Sequence, residues 1–151
     1  MKPVLLDGRS LTRAQLVAVA HGAQVSLDEG ALRAVARAAG FLAEQVRREE
    51  PIYGVSTGFG SNADKLLGAH PLRDELPGAK PSGRSLHAEL QRNLVVTHAV
   101  CVGEPMPAPV VRAMMCIRIN TLLRGHSGIR VDTLQAMTRL LNADEIGRAH
   151  V

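Results

Sequence analysis

Tyr53 is the only tyrosine of the chain and opens the run Tyr53-Gly54-Val55-Ser56-Thr57-Gly58-Phe59-Gly60. A phenol with a pKa of about 10 serves as a base near neutrality only where its surroundings favour the phenolate. Three glycines in eight residues imply irregular backbone. Spacing alone leaves two readings of Tyr53, a ring anchoring a loop onto a core or a phenolic acid/base, and it favours the anchor. Gly54, Gly58 and Gly60 do not make a phosphate cradle, because the lysine of such a loop is missing and the run follows a helix ending at Pro51. His98 falls on an apolar helix face beside Leu94 and Val95, where a lone histidine is most simply a core residue. His87 and His98 are 11 residues apart with no carboxylate pattern of a zinc site, so no metal is expected. Cys101 and Cys116 have no local cationic partner that would mark a reactive thiolate, and read as small core residues.

The elements that position these residues read as mainly helical. Thr12 and Gln15 have capping-box spacing, and Gly22 is a stop for the helix they start. Val25–Leu27 reads as a short extended segment. Asp28 caps a helix with Leu32, Val35, Ala36, Ala39, Leu42, Ala43 and Val46 at helical spacing, ended by Pro51. Residues 68–85 hold three prolines and three glycines and predict a long loop. Ser85 caps a helix to about Val102, stopped by Gly103 and Pro105. Pro107 or Pro109 opens the next helix, which is apolar nearly all round and so expects burial on every side. Gly125-His126-Ser127-Gly128 is a turn, and Asp132 caps a last helix through Leu141.

Composition removes several classes. The 151 residues carry 18 Lys+Arg against 14 Asp+Glu, a net +4 that is scattered and interleaved with acids. A nucleic-acid footprint needs clustered cations and stacking aromatics, and aromatics are only 2% here. No long uncharged stretch could span a membrane, and the N-terminus has no secretory h-region. Two cysteines make no disulfide framework and suit a reducing cytoplasm. Length alone fits one domain, but the all-round apolar helix suggests a core continuing beyond the chain.

The tyrosine loop resembles that of the aromatic amino acid ammonia-lyases, which include histidine, phenylalanine and tyrosine ammonia-lyases and related aminomutases. The resemblance continues through Leu90-Gln91-Arg92-Asn93-Leu94-Val95-Val96-Thr97-His98-Ala99, Val111-Arg112-Ala113-Met114-Met115 and Asn120-Thr121-Leu122-Leu123-Arg124-Gly125-His126-Ser127-Gly128-Ile129-Arg130, and ends at Leu140-Leu141-Asn142-Ala143. It implies the N-terminal helical part of a lyase of the histidase/fumarase-like helical superfamily, with a long Gly/Pro-rich loop region. It implies elimination of ammonia from an aromatic amino acid, with L-histidine giving urocanate. Tyr53 matches the family's β-proton-abstracting base, in a loop with Gly54, Gly58, Phe59 and Gly60. His98 matches the position where histidine ammonia-lyases meet the substrate imidazole. Tyrosine-selective lyases carry their histidine where this chain has Val96. Ser56 stands where Thr or Asn is common, and Cys101 where Gly is frequent. The resemblance further implies a methylidene-imidazolone electrophile formed from Ala-Ser-Gly, no metal, and a homotetramer when full length.

No Ala-Ser-Gly triplet occurs in this chain. The expectation is therefore an ammonia-lyase segment over 1–143 that is inactive alone. Residues 144–151 read as a foreign tail, because a common sequencing adapter translates as Ile-Gly-Arg-Ala-His-Val, the sequence of Ile146 to Val151. The alternatives are a non-catalytic helical interaction module derived from the lyase front end, or a segment of a phenylalanine lyase or aminomutase.

Overall fold

A computed structural model of the chain describes residues 2–48, 50–57, 86–99 and 103–147. Gly58, Phe59, Gly60, the expected loop 68–85 and Cys101 lie outside the described residues. The chain divides into two compact units, Met1–Ala43 with Cys101–Val151, and Glu44–Val100. The described elements are β1 (Val4–Leu6), α1 (Arg13–Ala20), β2 (Val25–Leu27), α2 (Glu29–Arg47), α3 (Leu86–His98), α4 (Ala108–Leu122) and α5 (Val131–Asn142). The fold is mainly α, as expected. No described helix is long and apolar enough to cross a membrane.

In the first unit, the capping box forms as the sequence predicts. Gln15 N–H donates to Thr12 Oγ1 at 3.3 Å, and Thr12 N–H donates to Gln15 Oε1 at 2.8 Å. Gly22 takes φ 104° just past α1. Val25–Leu27 is a strand, and its partner β1 was not foreseen. The two strands run parallel with Val4 opposite Val25 and Leu6 opposite Leu27. A parallel pair needs a crossover connection, and α1 supplies it. Asp28 Oδ1 accepts the N–H of Ala31 at 2.8 Å and so caps α2.

The core of this unit gathers Leu6, Val19, Val25, Val35, Cys116, Ile119, Leu122, Leu123, Leu134 and Leu141. Helix α1 packs on α4, α4 on α5, and α5 on β2. Helix α4 begins after Pro107, with Pro109 in its first turn. It departs from the expectation of burial all round: Val111, Cys116, Ile119 and Leu122 are buried, while Val110, Met114 and Ile117 are about half exposed. Asp132 also differs from its expected place. It lies inside the first turn of α5 behind Arg130 at the cap, and its charge faces the positive end of the helix.

Two glycines are required, Gly125 by close approach to backbone and Gly128 by its positive φ. Gly125 takes φ 71°, and a Cβ there would meet the Ala34 carbonyl carbon of α2 at 2.9 Å. Gly128 takes φ 67°, and its Cβ would meet Leu42 Cδ2 at 2.5 Å. The turn between α4 and α5 therefore presses the backbone at Gly125 onto that of α2.

Polar side chains tie the layers together. Arg112 is 5% exposed in the middle of the apolar helix. Its Nε donates to the carbonyl of Val19 at 2.9 Å, Nη1 to Leu141 at 3.0 Å, and Nη2 to Ala23 at 3.3 Å. Val19 and Leu141 lie in the last turns of α1 and α5, at the negative ends of the helix dipoles, where their carbonyls also accept the N–H groups of Gly22 and Asp144 just past each helix. One guanidinium thus serves both helix ends. Asn142 clamps β2 in the manner of a third strand. Its Oδ1 accepts Val25 N–H at 2.8 Å, and its Nδ2 donates to Val25 O at 2.9 Å. Asn120 Oδ1 accepts the N–H of Gly8 at 2.9 Å and fixes the exit of β1 against α4.

Candidate functional site

The candidate chemistry lies in the unit Glu44–Val100. Pro51 disfavours helical backbone in the residue before it, and the chain turns beyond α2. Gly54 takes φ 69°, the left-handed region that a glycine enters without strain. The carbonyl of Ile52 accepts the N–H groups of Val55 and Ser56 at 3.0 Å and of Thr57 at 3.2 Å. Ser56 Oγ accepts the N–H of Ile52 at 2.8 Å and donates to the carbonyl of Glu50 at 2.5 Å. Thr57 Oγ1 accepts the N–H of Gly54 at 3.3 Å and lies 3.4 Å from the carbonyl of Ile52.

Ser56 and Thr57 are buried, whereas Tyr53 between them and Pro51 is 63% exposed. Here the small polar side chains fold inward and the phenol stands outward.

His98 closes α3 and is exposed, not a core histidine as its apolar neighbours suggested. Val95 and Val96 on the same helix are also exposed, at 69% and 58%. His98 Nδ1 lies 2.8 Å from the carbonyl of Leu94 and 3.2 Å from Thr97 Oγ1. A carbonyl can only accept, so Nδ1 carries the proton in the neutral ring, and Nε2 is left as an acceptor. Both hydrogen bonds stay within α3.

Cys116 is a small core residue as the sequence suggested, but it does have a local cation, which the sequence reading missed. It is fully buried, and burial raises its thiol pKa against a smaller opposing pull from Arg112. That nearby cation comes from the preceding turn of the same helix. Among the described residues, no group of three or more His, Cys, Asp or Glu could hold a metal ion.

Two features escaped the sequence. One is the inward hydroxyl of Ser56, whose residue type gave no sign of joining both flanks of Pro51. The other is an apolar groove of about 560 Å³ along the outer side of α4, lined by Met106, Met114, Met115, Ile117 and Met137 among others. Its trace in the sequence was the all-round apolar character of α4.

Comparison with known proteins gives these residues a context. The aromatic amino acid lyase family matches residues 11–147. A histidine ammonia-lyase of Symbiobacterium thermophilum is 42% identical over 136 residues, covering 89% of this chain and 24% of the relative. In structure, the chain is similar to a histidine ammonia-lyase of Trypanosoma cruzi, with a TM-score of 0.72 and 33% identity over 94% of this chain and 24% of that one. It is also similar to a tyrosine aminomutase of Streptomyces globisporus, with a TM-score of 0.77 and 28% identity over 95% of this chain and 24% of that one. The chain thus spans about a quarter of the length of the curated relatives it matches.

Proposed function

The chain belongs to the aromatic amino acid lyase family, and from that premise we propose that it supplies the base of an ammonia-lyase acting on L-histidine. The observation that carries this is Tyr53, the only tyrosine, held outward on a closed turn inside the matched segment. In the proposed reaction the Tyr53 phenolate takes a proton from the substrate β-carbon. The C–H electron pair becomes the Cα–Cβ double bond, and ammonia leaves with the electron pair of the broken Cα–N bond. Urocanate is the product. The β-proton is weakly acidic, so the base must be strong, near and partly ionised at working pH.

His98 is the proposed specificity residue. With its Nδ1 proton directed at Leu94, its Nε2 is an acceptor suited to the N–H of a substrate imidazole. The many histidine ammonia-lyases among the relatives support histidine over phenylalanine or tyrosine.

The methylidene-imidazolone of the family makes the amino group a better leaving group. The residues here cannot form it, since the chain has no Ala-Ser-Gly triplet. The 151 residues alone are therefore proposed to be inactive, and no step is assigned to that group. The whole enzyme is proposed to be a cytoplasmic homotetramer without a metal. Light scattering on a full-length product tests the tetramer.

The decisive experiment replaces the matching segment of the Symbiobacterium thermophilum relative with this chain. Histidine, phenylalanine and tyrosine are offered in parallel and the unsaturated acids followed by ultraviolet absorbance. Urocanate alone should form, and Tyr53→Phe should abolish it with assembly unchanged. Cinnamate or coumarate in its place would overturn the histidine assignment. Full activity of Tyr53→Phe would overturn the base.

A further inference from the structure

On its Pro51 side, the turn that presents Tyr53 is closed by the Ser56 hydroxyl. Ser56 Oγ donates to the carbonyl of Glu50 and accepts from the N–H of Ile52. A serine hydroxyl has one proton and two lone pairs, so both bonds are made at once. They join the residue before Pro51 to the residue after it, across the one position that has no N–H of its own. The next peptide plane, between Ile52 and Tyr53, is held by the three N–H groups that converge on the Ile52 carbonyl. The root of Tyr53 is therefore pinned on both sides while its ring stays exposed. The bonds of the Thr57 hydroxyl, at 3.3 and 3.4 Å, are longer than the pair made by Ser56.

We propose that Ser56 is the positioning residue for Tyr53: its buried hydroxyl holds the turn in the one arrangement that aims the phenol. The consequence for catalysis rests on the reading of Tyr53 as the base. A base displaced by about 1 Å loses on the order of a hundredfold in rate.

The chain has one tyrosine and no tryptophan, so tyrosine fluorescence reports Tyr53 alone. In the 151-residue protein the amide of Ile52 should exchange slowly with solvent. Ser56→Ala should speed that exchange about tenfold or more and lower the fluorescence anisotropy of Tyr53, with the Ile119 amide in the core unaffected. Ser56→Thr keeps the hydroxyl and should restore both signals. An unprotected Ile52 amide in the parent chain would overturn the proposal. So would a Ser56→Ala chain with Ile52 exchange and Tyr53 anisotropy unchanged. These signals need no turnover, so they stand apart from whether Tyr53 is the base. In the chimeric enzyme, Ser56→Ala should lower kcat about a hundredfold with KM changed only a few-fold, and Ser56→Thr should recover it. A fall in kcat that threonine does not rescue would also overturn the proposal.

Discussion

Arg112 Nη1 lies 2.6 Å from Asp144 Oδ1, yet the two side chains have unlike surroundings, 6% and 70% exposed. The pair is thus a buried cation with one solvated partner and three carbonyl partners. Its weight falls on the carbonyls of Val19, Ala23 and Leu141, of which Val19 and Leu141 also accept the N–H groups of Gly22 at 3.1 Å and Asp144 at 3.4 Å. Arg112→Ala should destabilise the first unit by about 3 kcal/mol, by removing three charge-assisted hydrogen bonds of a buried guanidinium at once. Asp144→Ala should cost less than about 1 kcal/mol, because that carboxylate is mostly in water. Urea midpoints at constant slope measure both. Equal losses would mean that the ion pair, and not the capping of α1 and α5, holds this centre.

Asn142 gives a sharper test of the strand pair. Its amide makes both backbone bonds of Val25, so Asn142→Ala should remove about 1–3 kcal/mol and increase hydrogen exchange at Val25. Asn142→Asp keeps the acceptor for Val25 N–H but sets a carboxylate oxygen against the Val25 carbonyl. It should be no better than alanine at neutral pH and should gain on acidification, as protonation restores a donor.

The thiol of Cys116 should be inert in the folded chain. Burial raises its pKa above the ordinary 9.0 and removes access together. In a Cys101→Ser variant at neutral pH, a disulfide reagent should label Cys116 only as fast as the unit opens, and at once in denaturant. Because the folded pKa is raised, the contribution is intact below about 9 and is lost as pH climbs above that value.

Asp7 gives the opposite sign at the acid end. The backbone N–H of Ser10, then its hydroxyl, then the N–H of Arg9 hold its carboxyl down to about 2 from 3.8. A depressed carboxylate stabilises the fold fully above about 3.8 and loses that contribution as pH falls toward about 2. Carboxyl carbon shifts should show a midpoint near 2 for Asp7, and Ser10→Ala should raise it.

What the sequence determined was local. Thr12 with Gln15 predicts a capping box, Asp28 a cap, Gly22 and Pro107 the ends of helices, and each of these depends on backbone groups only a few residues away. The tyrosine loop and the run around His98 were legible as a family pattern for the same reason, since they are contiguous. Tertiary structure alone decided the rest. Arginine reads as a surface residue, and Arg112 becomes a buried cap only when the fold brings it Val19, 93 residues away, and Leu141, 29 residues away. Strand β1 has no identity until Val25 lies beside Val4. The outward Tyr53, the inward Ser56 and the one-sided burial of α4 all depend on which neighbour covers a side chain. Periodicity along the chain carries no term for that neighbour, and packing supplies it.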